Sequence, residues 1–181
     1  MNDEIREFRD GIFALRTRWF GTVAEIMIKK LYNLDESGTL AFDKKDKISK
    51  NRIEVKFSTV MKENDDKICD FNVIEQCKKA NLSNRALLST DIGKYNFDCN
   101  IQQIKTIEFD ELYYGLFFAD VVEIFRMTSK QVLNTEGYSN KQHRGNVGEG
   151  QFHLNQSNID YHRKNFLVEK LTYEQLYQLF L

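Results

Sequence analysis

The sequence predicts an α/β (α+β) fold, a mixed β-sheet flanked by helices, and three features lead there. The first thirty-odd residues repeat apolar side chains at helical spacing, the middle holds short runs with strand periodicity, and the close is helical again. Helix, strands, helix, strands and helix in that order describe a sheet with helices packed on it. A chain of 181 residues is most economically one domain with one core, here residues 1–181.

In the first segment Phe8, Ile12, Leu15, Trp19, Val23 and Ile26 recur at three- and four-residue steps, which makes them, Trp19 included, the expected core stripe. Gly11 and Gly21 are where this helix is expected to loosen or break. Asp35-Glu36-Ser37-Gly38 reads as a turn, and "TLAFD" followed by "RIEVKFS" reads as an antiparallel hairpin. "NVIEQCKKANL" has a helical period with Val73, Ile74 and Cys77 on one side, and "NFDCNIQQIKTI" is strand-like. "LYYGLFFADVVEIFRM" reads as two apolar strands joined near Ala119-Asp120. Residues 139–158 read as a loop rich in glycine and side-chain amides, with a short strand at "QFHLN". The last helix, "TYEQLYQLFL", takes Thr172 as its N-cap.

Bulk composition excludes several classes. No stretch is long enough to span a bilayer, and the N-terminus lacks a basic-then-apolar leader, so a cytoplasmic protein without a membrane partner is expected. Cys69, Cys77 and Cys99 show no CxxC spacing, which implies reduced, mostly buried thiols rather than zinc. A net charge of −1 argues against a general polyanion binder. Charge is nevertheless uneven: residues 43–62 carry seven Lys/Arg against three Asp/Glu, and residues 121–165 carry six against four together with all three histidines. Two mildly basic segments permit a nucleic-acid face.

The strand "NRIEVKFS" poses the chemical question. Alternation sends Ile53, Val55 and Phe57 one way and Arg52, Glu54, Lys56 and Ser58 the other. The ordinary meaning of such a face is a solvated surface with a weak ion pair. The preceding strand adds a third group. If Leu40 and Phe42 are its apolar side, Asp43 lies on the polar side with Glu54 and Lys56, whereas Asp46 falls on the other. A tight turn at Ile48-Ser49 would set Asp43 opposite Glu54, and a turn shifted to Lys50-Asn51 would favour Asp46; parity selects Asp43. Two adjacent carboxylates repel unless neutralised, and Mg²⁺ is a hard cation that takes one or two carboxylates plus water and phosphate. A lysine beside it can position or deprotonate water, or stabilise a charged phosphoryl transition state.

Asp43, ten intervening residues and then Glu54-Val55-Lys56 resemble the PD-(D/E)XK nuclease superfamily, and the chain looks like a small type II restriction endonuclease. Phe42 stands where a proline often precedes the aspartate. The helix "FGTVAEIMIKKL" ahead of the hairpin is similar to the superfamily's opening, and "NIQQIK" resembles its later DNA-approaching strand. The resemblance covers residues 15–127. It implies Asp43, Glu54 and Lys56 as catalytic residues, and a Mg²⁺ site (Mn²⁺ substituting) formed by Asp43, Glu54, Val55 and Glu25. It also implies Gln103 and Lys105 as DNA contacts. A sequence-specific cut in both strands of double-stranded DNA by a homodimer is the expected activity.

The amide-rich segment fits that expectation. Gln142, Asn146, Gln151 and Asn155 surround His143, Arg144 and His153, and all seven are candidate DNA contacts. Arginine presents a fork to guanine, and an amide presents a donor–acceptor pair to adenine. Rival readings are a shape-directed repair nuclease of the same fold, a DNA-binding module without catalysis, and an HNH-like site from His143, Asn155 and His162.

Overall fold

The computed structural model describes residues 1–63, 66–141 and 147–181. Helix α1 (Asp3–Ala14) starts where the Asn2 side chain accepts the Ile5 N–H at 2.9 Å, with Asp3 and Glu4 in its first turn. Both features offset the unpaired N–H groups and positive end of the helix dipole. Helix α2 (Thr17–Tyr32) ends on Asn33 in the left-handed region at φ 52°. The break between the two helices falls at Leu15-Arg16, both extended, and not at Gly11 or Gly21. This break resets the helical phase. Phe20, Ala24, Met27 and Ile28 are buried on α2, while Trp19 is 68% exposed and Ile26 42% exposed. Trp19 is therefore a surface residue, contrary to the expectation from the stripe.

Strands β1 (Asp35–Glu36), β2 (Lys44–Lys45) and β3 (Arg52–Thr59) follow, then the short helices α3 (Val73–Lys79) and α4 (Leu82–Arg85). Next come β4 (Asp98–Ile104), β5 (Glu111–Phe117), β6 (Val121–Thr128) and helix α5 (Ser129–Leu133). The chain closes with β7 (Ser139–Lys141), β8 (Val147–Asn155), α6 (Ile159–Phe166), β9 (Leu167–Thr172) and α7 (Tyr173–Phe180). Thr172 caps α7 in a capping box with Gln175, as its position predicts.

The fold is mixed α+β. One sheet runs in the order β1-β2-β3-β5-β6-β9, with β3 and β5 parallel and the other neighbours antiparallel. A parallel pair needs a long crossover, here residues 60–110. Helices α1, α2 and α7 cover one face of this sheet against Ile53, Val55, Tyr113 and Phe117. The other face, with Leu112, Tyr114, Leu116 and Phe125, packs against a second sheet of order β4-β8-β7 and against α6. Burial on both faces is why "LYYGLFF" is apolar without alternation.

Four expectations change here. Within 139–158, Ser139–Lys141 and Val147–Asn155 are strands and not loop: β7 and β8 pair with each other, and β8 pairs with β4 from Gly150 to Asn155, so the short strand expected at "QFHLN" is present and longer than expected. Residues 38–42 are not a strand, and Leu40 is fully exposed, so the hairpin is far shorter on its first side. On α3, Val73, Ile74 and Cys77 face solvent and Gln76 is the buried residue. Of the thiols only Cys99 is buried, and burial pushes it up to about 12; Cys69 and Cys77 are exposed.

His162 on α6 sits in the interior, 1% exposed, with Nδ1 2.8 Å from the Tyr114 hydroxyl and its ring parallel to Phe152 at 5.8 Å. Burial lowers its pKa to about 4. The unfolded chain therefore takes up a proton near pH 6.5 that the folded chain refuses until about pH 4, and stability is lost as pH falls through that window. The free-energy advantage of the wild type over His162→Gln is expected to shrink by about 3 kcal/mol from pH 6.5 to pH 4. Urea titrations at the two pH values check this, and a difference independent of pH would contradict it.

Candidate active site

The turn between β2 and β3 fixes the register on which the site depends. Asp46 Oδ1 accepts the N–H groups of Ile48 at 2.8 Å and Ser49 at 2.6 Å, and Lys50 takes φ 64°. This Asp-capped turn commits the Asp46 carboxylate to the backbone. It also pairs Lys44 with Ile53 and Lys45 with Arg52, so the next step places Asp43 opposite Glu54. Asp43 donates its N–H to the Ile53 carbonyl at 3.0 Å, and its Oδ2 accepts the Val55 N–H at 2.8 Å. A strand residue points its N–H and C=O to the same side, so the Val55 carbonyl faces the same edge.

Glu54 is 8% exposed and so is no surface residue. Its carboxyl is pushed up to about 7, first by burial and further by Asp43 and Glu108, with Lys56 opposing. Lys56 Nζ lies 2.5 Å from Glu54 Oε1. Burial disfavours the Lys56 ammonium, yet Glu54, Asp43 and Glu25 hold its pKa above the ordinary lysine value. Lys56 is therefore a fixed cation at neutral pH, and the Glu54 carboxyl stays raised although it is paired with that cation.

Strand β2 reaches only as far as Ile53, which leaves the rest of β3 without a strand on that edge. A cleft of about 570 Å³ opens there, between α2 with Arg18 and Glu25, β3 from Val55 to Thr59, and β4 from Asn100 to Gln103. Glu25 lines this cleft, but its Oε2 accepts from Lys44 Nζ at 3.0 Å. Lys44 is 5% exposed and also holds Glu36 at 3.0 Å. Sequence reasoning missed Lys44, although alternation opposite Asp43 already sends it toward α2.

Among the described residues no group of three or more His, Cys, Asp and Glu is placed to hold a metal. The oxygens at hand are two carboxylates, Asp43 and Glu54, and the Val55 carbonyl. Hard oxygen donors of that number suit Mg²⁺, which keeps several waters. A buried carboxyl raised by a carboxylate neighbour is the electrostatic mark of a place that a cation would relieve.

The predicted DNA contacts separate. Gln103 is exposed, lines the cleft and stands at φ 61°, at a bulge where the β4–β8 pairing shifts. The Lys105 ammonium is 3.7 Å from Glu108 and 3.9 Å from Glu149. Gln151 and His153 lie on one face of β8, and His153 Nδ1 is hydrogen-bonded to Asp98 at 2.8 Å. Asn155 caps a turn, its Oδ1 accepting the Ser157 N–H at 2.9 Å. Gln142, His143, Arg144 and Asn146 lie outside the described residues. The HNH-like reading fails, because the interior position of His162 keeps it from solvent and metal alike.

No family model matches the chain, and no curated protein does either.

Proposed function

We propose that the chain is a Mg²⁺-dependent endonuclease that cuts double-stranded DNA at a defined sequence, built on the PD-(D/E)XK plan. The observation that carries this reading is the meeting of Asp43 and Glu54 across β2 and β3, with Lys56 beside them at an open sheet edge. The order helix, hairpin, crossover and parallel strand (α2, β2–β3, β5) supports it. Asp43, Glu54 and the Val55 carbonyl would hold the metal, and Glu25, tied to Lys44, would stand outside that set. A bound Mg²⁺ supplies a Lewis acid for the phosphodiester and a more acidic water. The chain's own contribution is Lys56. Because its pKa is raised, it serves as a cation beside the developing phosphoryl charge and not as a base. One site per chain cuts one strand, so duplex cleavage calls for two chains about a twofold axis.

Mg²⁺ or Mn²⁺ is expected to support cleavage of plasmid or phage DNA, Ca²⁺ to support binding without turnover, and chelator to stop cutting. Since the metal must displace the Glu54 proton, the Mg²⁺ needed for half-maximal rate rises as pH falls below about 7. Undiminished cutting in excess chelator would refute metal dependence. A smear in place of bands would mean a nuclease without sequence preference, and intact DNA would favour a binding module.

A further inference from the structure

The second sheet turns one side to the interior and a different one outward. Cys99 and Ile101 on β4 and Phe152 and Leu154 on β8 are buried. The opposite side is made of cross-strand pairs: Asp98 with Asn155, Asn100 with His153, and Gln102 with Gln151. A solvated sheet face ordinarily carries Thr, Lys and Glu; these six positions hold four amides, a histidine and an aspartate, and no Lys, Arg or Thr.

We propose that this polar face of β4 and β8 reads base edges in the major groove of duplex DNA, with Gln102 and Gln151 as the readers. A two-stranded antiparallel ribbon fits the major groove, and each glutamine can offer adenine both an acceptor for its amino group and a donor for its ring nitrogen. The face is continuous with the cleft: Asn100, Gln102 and Gln103 line the same opening as Lys56. A backbone phosphate beside Lys56 therefore places neighbouring bases over β4. Asn100 donates Nδ2 to Gln151 Oε1 at 3.0 Å, which orients that glutamine, and its own Oδ1 is buried without a partner among the described residues. The bulge at Gln102–Ile104 falls where Gln103 lines the cleft, and a bulge is a usual device for re-aiming a side chain beside a site. His153, fixed by Asp98, and Asn155, spent on its turn, frame this pair and read nothing themselves.

The inference rests on the nuclease reading but fails separately from it. Selection from randomised duplexes in Ca²⁺, with the wild type, Gln102→Ala and Gln151→Ala, is the test. The wild type is expected to select a site containing A·T pairs. Each variant should lose roughly 5- to 150-fold of discrimination at one such pair per half-site. Affinity for unrelated DNA and its salt dependence should stay the same, because neither glutamine touches phosphate. A wild type that cuts with Mg²⁺ while both variants keep the same site and ratio would overturn the inference and leave the nuclease standing. Equal weakening on every sequence would also overturn it, since that is the signature of a backbone contact. A wild type that neither cuts nor binds duplex DNA would remove both.

Discussion

Glu54→Gln, Asp43→Asn and Lys56→Ala are each expected to lower single-turnover cleavage by roughly 10²–10⁴-fold or more. The reasons differ. Glu54 and Asp43 supply the charged oxygens, and an amide keeps their shape but cannot neutralise a cation. Lys56 supplies the cation beside the reacting phosphate, so Lys56→Ala should keep metal affinity while losing rate. The Glu54 carboxyl is held at about 7 by burial, so at pH 8 its ionised form works against folding. The sign follows: a carboxyl with a raised folded-state pKa costs stability once pH rises from its ordinary range through about 7. Glu54→Gln removes that cost but also takes the nearest counter-charge from the Lys56 ammonium, so a urea titration at pH 8 accompanies the digest and separates lost cutting from lost folding. Asp46→Asn should retain activity, because that carboxylate is spent on the turn. Loss of cutting in Asp46→Asn with full activity in Asp43→Asn would reverse the register assigned to the site.

Phe152→Ala is expected to cost about 3–5 kcal/mol of folding free energy. Phe152 is fully buried on β8, parallel to the His162 ring and edge-on to Tyr114 at 5.3 Å. It joins the small sheet to β5 and α6, so the cavity opens between the sheet carrying the polar face and the sheet carrying the acidic pair. A thermal midpoint lower by roughly 6–20 °C would correspond to that loss. Phe71→Ala is the control: Phe71 is 99% exposed, and its removal should change stability by less than about 0.5 kcal/mol. Equal effects of the two substitutions would contradict the packing described.

Much of this is written locally. Alternation in "RIEVKFS" was legible and the choice of Asp43 agrees with the observed register, but its basis was the parity of Leu40 and Phe42, which form no strand; the turn capped by Asp46 is what sets that register. The α2 face was illegible for a physical reason. Two extended residues at Leu15-Arg16 shift the helical phase by about one position, and neither carries a glycine or proline signal. The stripe through Trp19 and Ile26 thus ends on the surface. Strand β7 and the first residues of β8 were hidden by composition, because glycine and amides read as loop. The end of β8 was legible at "QFHLN", where Phe152 and Leu154 alternate with Gln151 and His153 in the period of a half-buried strand. What no local pattern could supply is the long-range part: Lys44 reaching Glu25 on α2, and β4 leaving the main sheet to pair with β8.

One digest tests the central claim most directly. A supercoiled plasmid is incubated at pH 8 in Mg²⁺ with the wild type and with Glu54→Gln at equal concentration. Discrete linear fragments from the wild type, absent with Glu54→Gln and absent in chelator, are the predicted result. Intact plasmid with the wild type, or the same fragments from Glu54→Gln, would contradict it.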